Sequence, residues 1–441
     1  MVATASDRVE HDEGEDRNEI VLRGRISAGP QERVLPSGAR VVVCRLVVAR
    51  GATVMTRGSR QRSDWVECAA WAGEQRRKLL RWEVGDVVEV SGALRRRHYR
   101  AGTAASSVVE VEALCEAHDT TVLDLDGVVY VGAEAVPGAP EHLRRARERG
   151  THLAYVTNNA SRTPGAVEDK LSGLGVPVAP GDVVTSAQAA ARVLAEQLEP
   201  GARVFLIGGD GLETALVDAG LTPVTEVADE PQAVVQGFGP DMPWGRVVAG
   251  ATLVRRGLPW VASNTDMTFP TQDGLGPGNG TLVRLIADFA EREPVVAGKP
   301  SPPLLQETQR RVGGQRPLMV GDRLDTDIAG ALAVQWPSLL VLTGVTGLAE
   351  LVAARPGERP TYLAEDLGGL LVAHPEPQRD GDAWVVGGWR AQVGDGRLRV
   401  DGDGTSGDWW RAVAASAWSA LDEEGAAPDC SGLCPPEQGE R

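Results

Sequence analysis

A short apolar strand that runs directly into two acids constrains the fold of this chain more than any other feature. The segment 121–130 reads TVLDLDGVVY, so Asp124 and Asp126 stand two residues apart at the end of an apolar run. Open α/β sheets hold their ligands at the carboxyl ends of their strands. Packing gives no reason to place two like charges there, whereas a hard cation such as Mg²⁺ does, because it prefers oxygen ligands. The segment therefore predicts a strand whose carboxyl end helps to hold a metal ion.

The region that follows alternates apolar runs with helical segments. HLAYVTN at 152–158 and PLMVGD at 317–322 show little polar alternation, which is typical of strands buried on both faces. Helical segments such as PGAPEHLRRARERG at 137–150 have Pro near the start and Gly at the end. The alternation indicates an α/β domain with a doubly wound, Rossmann-like parallel sheet.

A second apolar run ends in acids as the first one does. Asp322 follows Gly321 directly, and Asp327 stands five residues later, where the next helix is expected to begin. Because the carboxyl ends of parallel strands meet at one edge of a sheet, these acids and Asp124 can close on one Mg²⁺.

Two stretches suited to an anion lie between the acidic motifs. Thr157, Asn158 and Asn159 end an apolar run ahead of a helix that starts with Thr-Pro, and Lys299 precedes a helix that starts with Ser-Pro. Helix amino termini and lysines bind phosphate well. Each motif alone is common on protein surfaces, but all of them in this order, each at the end of an apolar strand, predict a site for phosphate chemistry.

In this order the motifs resemble those of the haloacid dehalogenase superfamily, over about 119–347. The resemblance implies that Asp124 is a nucleophile that forms an aspartyl-phosphate and that Asp126 is the general acid and base. A carboxylate accepts a phosphoryl group only where a metal ion and a cation offset the developing charge. The residues implied to bind phosphate are Thr157, Asn158, Asn159 and Lys299, of which Thr157 and Lys299 are also implied to be catalytic. The residues implied to bind Mg²⁺ are Asp124, Asp126 through its backbone carbonyl, and Asp322, with Asp327 supporting them from behind.

The spacing of the motifs selects a branch of that superfamily. An Asp two places after the nucleophile suits the phosphatases of the superfamily, and the long interval from Thr157 to Lys299 leaves room for an inserted lid. The pattern resembles the branch of 4-nitrophenyl phosphatases, phosphoglycolate phosphatase and NagD, and the tail with paired Trp is similar to that of actinobacterial glycerol 3-phosphate phosphatases. Because a large lid excludes polymers, we expect small phosphorylated metabolites of the glycerol 3-phosphate or 2-phosphoglycolate type as substrates.

The amino-terminal part has a different pattern and the opposite charge. Residues 18–116 contain five β-rich runs, one short helical candidate and a basic loop, which predicts a small barrel of the OB type. They hold 17 Lys and Arg against 11 Asp and Glu, whereas the whole chain has a net charge of −16. This basic surplus makes a nucleic-acid partner compatible with an acidic chain.

Four segments carry a resemblance: NEIVLRGRI at 18–26, RVVVCRLVVAR at 40–50, DWVECAAWAGE at 64–74 and GDVVEVSGALRRRHYR at 85–100. They resemble segments of bacterial single-stranded DNA-binding proteins, particularly those of actinobacteria. Aromatic side chains interleaved with positive charge are what non-specific binding of a single strand requires. The residues that the resemblance implies for DNA binding are Trp65, Trp71, Tyr99, Arg95, Arg96 and Arg97. OB barrels also serve as assembly modules, so binding of DNA and formation of a homo-oligomer both stay open.

Two further interpretations of the whole chain remain. One is a single-stranded DNA-binding protein whose phosphatase part is secondary or acts on nucleotides or DNA ends. The other is that two neighbouring reading frames have been joined, so that no single chain of 46.6 kDa exists.

The patterns together predict a multidomain protein. The expected segments are a disordered start (1–17), the OB-type domain (18–116), the hydrolase core (119–185 and 295–372), an inserted α/β cap (186–294), a small α+β domain (375–425) and a disordered tail (426–441). No run is long enough to span a bilayer, and the acidic, polar start is unlike a secretory signal, so we expect a cytoplasmic protein without a membrane partner.

Overall fold

The computed structural model describes residues 20–34, 40–49, 63–70, 79–101, 104–113, 118–271, 274–372, 374 and 376–436. The chain forms two compact units, Met1–Ala117 and His118–Arg441. The predicted disordered start, 1–17, lies outside the described residues.

The described residues of the first unit include five strands. They are β1 (Ile20–Val34), β2 (Arg40–Ala49), β3 (Ser63–Ala70), β4 (Val87–Ala101) and β5 (Ala104–Ala113). Hydrogen bonds join them in the order β1-β2-β3-β5-β4, and β4 pairs in turn with β1. The β3–β5 pair is parallel and the other pairs are antiparallel. Apolar side chains that include Ile26, Val42, Leu46 and Val90 fill the interior, with Trp82 packed against them.

The second unit begins with strands that alternate with helices. Its first strands are β6 (Thr120–Leu123), β7 (Tyr130–Val131), β8 (Glu134–Ala135), β9 (His152–Thr157) and β10 (Val183–Thr185). Its first helices are α1 (Ala139–Glu148), α2 (Pro164–Gly173) and α3 (Ser186–Ala195). Pro near the start of α1 and of α2 agrees with the punctuation in the sequence.

The middle of this unit repeats the same alternation. The strands are β11 (Arg203–Ile207), β12 (Thr222–Val224), β13 (Ala233–Gln236), β14 (Trp260–Ala262), β15 (Thr268–Thr271), β16 (Gly274–Pro277) and β17 (Val295–Val296). The helices are α4 (Asp210–Asp218), α5 (Trp244–Arg255) and α6 (Asn279–Ala290), with a 3₁₀ turn at Val227–Asp229.

The last part completes one sheet and adds another. The strands are β18 (Pro317–Gly321), β19 (Ser338–Val341), β20 (Tyr362–Ala364), β21 (Gln378–Asp380), β22 (Ala383–Val386), β23 (Trp389–Gly394) and β24 (Arg397–Gly402). The helices are α7 (Pro303–Val312), α8 (Ala329–Ala333), α9 (Leu348–Val352) and α10 (Ser406–Glu424). A π-helical turn covers Leu324–Ile328, and 3₁₀ turns cover Pro356–Glu358 and Leu367–Leu371.

Two parallel sheets organise the second unit. The larger has six strands in the order β10-β9-β6-β18-β19-β20, and the smaller has five in the order β12-β11-β13-β14-β17. The parallel, Rossmann-like architecture predicted from the sequence is confirmed. A buried apolar cluster that includes Val122, Leu194 and Val235 joins the six-stranded sheet, α3 and the five-stranded sheet.

The carboxyl-terminal part is a four-stranded antiparallel sheet covered by α10. The strands lie in the order β21-β22-β23-β24. The paired Trp409 and Trp410 of α10 are buried in a cluster that also contains Leu340 and Leu351. These tryptophans therefore serve as packing residues between the helix and its surroundings.

Part of the tail pairs with strand β24. The carbonyl of Asp429 accepts a hydrogen bond from Leu398 N (2.9 Å), and Asp429 N donates to the Gly396 carbonyl (2.8 Å). Cys430 packs against the cluster around α10. Within the segment 426–441, for which disorder is expected, backbone pairing at Asp429 and apolar contact at Cys430 thus hold the chain on β24.

Among the described helices, none has both the length and the apolar content needed to cross a membrane.

Candidate active site

The acids predicted from the two strand ends meet at the carboxyl edge of the six-stranded sheet. Strands β6 and β18 are neighbours, with Leu123 opposite Val320, and Asp124 N donates to the Val320 carbonyl (2.9 Å). Carboxylate oxygens of Asp124, Asp322 and Asp327 all lie within 4.8 Å of one another. The parallel register therefore brings together acids that are far apart in the sequence.

Lys299 lies between two of these acids. Its Nζ is 2.6 Å from Asp124 Oδ1 and 2.7 Å from Asp327 Oδ1, and its side chain is only 2% exposed. Burial disfavours the charged amine, but the charges of Asp124 and Asp327 outweigh that effect and raise the pKa of Lys299. Lys299 is thus held as a cation beside the expected nucleophile.

Asp322 has the strongest signs of a missing counter-charge. Its Oδ2 accepts a hydrogen bond from Val345 N (2.7 Å), while its Oδ1 is buried with no partner among the described residues. Burial, followed by the charges of Asp327 and Asp124, raises the pKa of Asp322 to about 7. One lysine cannot balance three clustered carboxylates, so the donor set fits a hard divalent cation such as Mg²⁺.

Two glycines allow the loops around Asp322 to approach it closely. A Cβ on Gly344 would lie 1.9 Å from Asp322 Oδ2, and one on Gly127 would lie 2.5 Å from the same atom. Gly127 also has a φ of 84°, a conformation that side chains rarely adopt. Any larger residue at either place would push the Asp322 carboxylate out of position.

Asp327 is a buried support for its neighbours. Its Oδ2 accepts from Asp322 N and from Arg323 N, both at 3.2 Å, and its Oδ1 faces Lys299. Burial raises the pKa of Asp327 to about 6, and the Lys299 charge opposes that rise. The π-helical turn at Leu324–Ile328 places this side chain beneath the site, as such turns often do near functional residues.

Asp126 stands on the solvent side of the same edge. It lies in a tight turn in which Gly127 N donates to the Tyr130 carbonyl (2.9 Å), and its side chain is exposed. The surrounding protein raises the pKa of Asp126 by desolvation, and the charges of Lys170, Arg162 and Lys299 oppose that rise. An accessible carboxyl with a raised pKa is suited to exchanging protons with substrate and water.

Strands β7 and β8, which follow Asp126, pair as a short hairpin, and Lys170 joins this hairpin to helix α2. The Lys170 ammonium lies 3.2 Å from the centroid of the Tyr130 ring and donates to the Gly132 carbonyl (3.0 Å). Sequence reasoning missed this residue, because a lysine in an amphipathic helix gives no sign of its partner.

The residues predicted to bind phosphate follow β9. Thr157 is 5% exposed, and its Oγ1 accepts a hydrogen bond from Asn159 N (3.1 Å). Asn159 Oδ1 accepts from Ser161 N (2.9 Å), which shapes the turn into α2. The carboxamide of Asn158 is directed at the Lys299 main chain, so only the backbone of Asn158 is left for a phosphate.

The site also contains polar residues to which the sequence assigned no role. Asp266 Oδ1 accepts from Asn158 Nδ2 (3.2 Å), and Asn264 Nδ2 donates to the Asn158 carbonyl (2.7 Å). Burial raises the pKa of Asp266, opposed by Asn158, Lys299 and Arg323. Their only signal in the sequence is their position directly after an apolar strand.

The side chains predicted to bind DNA lie outside the described part of the chain. Trp71 as a whole is not among the described residues, and of Trp65, Tyr99 and Arg95–Arg97 only the backbone is. Their backbones place Trp65 in β3 opposite Val47, and Arg95 and Tyr99 in β4 opposite Glu110 and Ser106.

Comparison with known families divides the chain as its fold does. Residues 121–222 match the model of haloacid dehalogenase-like hydrolases, and residues 296–370 match the HAD-hydrolase-like model. Residues 17–116 match the single-strand binding protein family.

Two similar proteins are, by name, a phosphatase and a nucleotidase. D-glycerol 3-phosphate phosphatase of Mycobacterium tuberculosis is 41% identical over 325 residues, which is 70% of this chain and 88% of that protein. A 5′-nucleotidase of Bacillus subtilis is 35% identical over 56% of this chain and 94% of its own length.

Solved structures show the same similarity. Glycerol phosphate phosphatase from M. tuberculosis, solved in complex with magnesium, superposes with a TM-score of 0.64 at 41% identity, over 69% of this chain and 92% of that one. A p-nitrophenyl phosphatase from Archaeoglobus fulgidus gives a TM-score of 0.54 at 30% identity, over 58% and 98%.

Proposed function

The chain belongs to the haloacid dehalogenase-like hydrolases, and we propose that it hydrolyses small phosphorylated metabolites through an aspartyl-phosphate formed on Asp124. It is a phosphoric monoester hydrolase that uses Mg²⁺, and it carries a domain of the single-strand binding protein family. The observation that carries the proposal is the contact of 2.6 Å between Lys299 Nζ and Asp124 Oδ1 inside a cluster of three carboxylates.

The proposed reaction has two steps, both centred on Asp124. Its carboxylate attacks the phosphorus, the bond from phosphorus to the ester oxygen breaks, and Asp126 gives a proton to the leaving alkoxide. Asp126 then takes a proton from a water molecule that attacks the aspartyl-phosphate, which releases inorganic phosphate and restores Asp124. The accessible position and raised pKa of Asp126 support both roles.

Each neighbouring group has a proposed task around that reaction. Asp124, Asp322 and the backbone carbonyl of Asp126 would hold Mg²⁺, which when bound offsets the negative charge on the phosphoryl group. Lys299 offsets charge on Asp124 and the phosphate, and Thr157 with the backbone at 158–159 holds the phosphoryl oxygens. Asp327 keeps Lys299 and the Asp322 backbone in place, as its contacts support.

We propose glycerol 3-phosphate or 2-phosphoglycolate as the type of substrate. The similarity to D-glycerol 3-phosphate phosphatase, at 41% identity over most of that protein, supports the first. We assign 186–294, which holds strands β11 to β14 of the five-stranded sheet, to a cap between core segments 119–185 and 295–372; β17 begins the second core segment. The cap would close over small molecules and exclude polymers.

We further propose that residues 18–116 form an OB-type barrel that binds single-stranded DNA. The strand order β1-β2-β3-β5-β4, with a parallel β3–β5 pair, supports the barrel, and the family match at 17–116 supports the ligand. Trp65, Trp71, Tyr99 and the arginines 95–97 are the proposed contacts. A homo-oligomer formed through this domain belongs to the same proposal.

The second candidate is a single-stranded DNA-binding protein whose phosphatase acts on nucleotides or DNA ends. The family match at 17–116 and the 35% identity to a 5′-nucleotidase are the observations that favour it. In that case the bound strand would bring the phosphorylated end near the hydrolase.

One substrate panel separates the two candidates. Phosphate release is measured with Mg²⁺ from glycerol 3-phosphate, 2-phosphoglycolate, nucleotides and oligonucleotides phosphorylated at either end, with the intact chain and with Asp124→Asn. Release from the small metabolites that disappears in Asp124→Asn supports the first proposal. A clear preference for nucleotides or oligonucleotide ends supports the second, and no release from any compound contradicts both.

A further inference from the structure

The side-chain carboxamide of Asn158 hydrogen-bonds to both the N–H and the carbonyl of the Lys299 main chain. Asn158 Oδ1 accepts a hydrogen bond from Lys299 N (2.8 Å), and Asn158 Nδ2 donates to the Lys299 carbonyl (3.0 Å). The same Nδ2 donates to Asp266 Oδ1 (3.2 Å), so both of its hydrogens are engaged. A Cβ on Gly298 would lie 2.6 Å from Asn158 Oδ1, so the approach needs a glycine there. Asn158 therefore fixes the point from which the Lys299 side chain extends.

The carbonyl of Asn158 accepts hydrogen bonds from a residue that follows β14 of the five-stranded sheet and from a residue of α3. Asn264, two residues beyond the end of β14, donates from Nδ2 to the Asn158 carbonyl (2.7 Å). Ser186 Oγ donates to the same carbonyl (2.6 Å). Asn264 Oδ1 accepts from Asp266 N (3.2 Å), which orients its carboxamide. The position of the Lys299 main chain thus depends in part on Asn264, which follows a strand of the five-stranded sheet.

The hydrogen bonds continue deeper into the five-stranded sheet. Asn279 Nδ2, at the first residue of α6, donates to the Asn264 carbonyl (2.7 Å), and Gln236 Nε2, at the end of β13, donates to Asn279 Oδ1 (3.4 Å). We call Gln236, Asn279, Asn264 and Asn158 the amide chain. It leads from the interior of one sheet to the reacting edge of the other.

The burial of the amide chain shows that its geometry is specific. Gln236, Asn279 and Asn264 are 0%, 2% and 5% exposed, and Gln236 Oε1 has no partner among the described residues. Burying amides costs free energy that apolar residues of the same size would not cost. The part of the network that restricts its members is the run of hydrogen bonds of 2.7–3.0 Å from Asn279 through Asn264 and Asn158 to the Lys299 main chain.

We propose that Asn158 and Asn264 are positioning residues. Through the amide chain, the distance between Lys299 Nζ and Asp124 Oδ1 depends on the position of the five-stranded sheet. The inference rests on the proposed phosphatase function. Lys299 Nζ lies 2.6 Å from Asp124 Oδ1 only while its main chain stays where Asn158 holds it. A small displacement weakens the charge stabilisation that Lys299 supplies, and the loss is larger in the transition state, where charge develops at the transferring group, than for the bound substrate.

The first test is Asn264→Ala in the full chain, assayed with Mg²⁺ and the best substrate of the panel. We expect kcat to fall about tenfold or more while KM changes less than about twofold, because the interaction lost acts in the transition state. Thr281→Val is the matched control, since Thr281 Oγ1 donates to the Met267 carbonyl (2.9 Å) in the same region without touching the amide chain. The control should keep both constants.

A second test asks whether Asn264 acts through Lys299. Lys299→Arg keeps the charge but changes its reach, and the double variant with Asn264→Ala completes a cycle. If Asn264 only positions Lys299, its replacement costs several-fold less in the Lys299→Arg background than in the native chain. Equal losses in both backgrounds would show an independent role and overturn the inference.

Gln236→Leu keeps the test decisive if Asn264→Ala does not fold. It removes the far end of the amide chain, a long hydrogen bond of 3.4 Å, and leaves the buried Asn279 Oδ1 without that donor, so some stability is lost. We expect a several-fold fall in kcat with KM kept, in a protein whose melting curve shows that it is folded at the assay temperature. An unchanged kcat, or a rise in KM alone, overturns the inference while the native chain still releases phosphate. A native chain that releases no phosphate refutes the proposed function instead.

Discussion

Lys299 is the residue on which most of the site geometry depends. It separates Asp124 from Asp327 by direct contact with both, and it is almost fully buried. A cation held in that place is far more effective than one in water, because the local dielectric is low. Two hydrogen bonds from the Asn158 carboxamide also fix the position of its main chain.

Replacing Lys299 with Met should therefore remove activity without removing the metal site. We expect kcat to fall about 10²- to 10³-fold, the range seen when one charge-stabilising donor is lost. Mg²⁺ binding, measured by calorimetry, should persist, since Asp124, Asp322 and the Asp126 carbonyl remain and a nearby competing cation is gone. Loss of Mg²⁺ binding together with activity would show instead that Lys299 is needed to build the site.

We expect His118 to make the stability of the second unit depend on pH. Its ring contacts the Tyr362 ring edge-on at 5.8 Å, and burial lowers its pKa below 6.5, outweighing a contact with the Arg316 backbone that raises it. The unfolded chain then takes up a proton near pH 6.5 that the folded chain refuses, so stability is lost as the pH falls through that value.

We expect His118→Phe to flatten this dependence between about pH 7.5 and 5.5, because it keeps the ring but cannot titrate. Urea midpoints of both chains across that range provide the measurement. All other titratable groups are the same in the two chains, so the difference between their pH curves reports the contribution of His118 to stability. Parallel curves would mean that His118 titrates normally in the folded protein.

At the scale of elements, the strand ends were the part of the fold that the sequence could predict. Apolar runs that end in Asp124 and Asp322 carry their own signal, because only a ligand edge accounts for acids there. The adjacency of β6 and β18 then confirms that the two motifs share one edge. The order of the motifs and the type of the strands could therefore be predicted from the sequence alone.

Contacts across long sequence separations were the part that the sequence could not predict. Asn264 and Asp266 reach Asn158 over more than a hundred intervening residues, and neither has a property that marks its partner. Asn158 was predicted to bind phosphate, yet its carboxamide is committed to Lys299. The pairing of the tail with β24 was missed for the same reason, since backbone hydrogen bonds leave no trace in composition.

The hairpin β7–β8 offers a prediction at this scale. Because Lys170 joins it to α2 through the Tyr130 ring and the Gly132 carbonyl, Lys170→Met should loosen the turn that carries Asp126. We expect faster hydrogen exchange over 126–136 and a fall in kcat of about 3- to 10-fold, as cation–π and hydrogen-bond losses of this size produce. Lys170→Arg should restore most of both. Unchanged exchange in Lys170→Met would exclude the tie.

At the scale of the whole molecule, the two units differ in charge and in proposed ligand. The amino-terminal residues 18–116 carry a surplus of six positive charges in a chain of net charge −16. A basic module suits a polyanion, whereas the acidic unit holds its cations inside the site. The two activities should therefore respond differently to ionic strength.

Salt separates the two activities in one preparation. Binding of a fluorescent oligothymidine should weaken steeply from 50 to 200 mM NaCl, by about tenfold or more, because counterions are released on binding. Hydrolysis of the small substrate should change less than about twofold over that range, since its contacts are buried. Strand binding that ignores salt would contradict an electrostatic interface. Recovery of both activities in one polypeptide of 46.6 kDa would exclude joined reading frames.

Trapping the intermediate tests the central claim most directly. The Asp126→Asn variant should still transfer the phosphoryl group from 4-nitrophenyl phosphate to Asp124, because the nitrophenolate leaving group needs no acid. It should hydrolyse the resulting aspartyl-phosphate slowly. After a rapid quench, mass spectrometry should find a phosphoryl group on the peptide that contains Asp124, and none in Asp124→Asn. A quenched Asp126→Asn chain that releases nitrophenol yet carries no phosphoryl group on Asp124 would contradict the covalent mechanism.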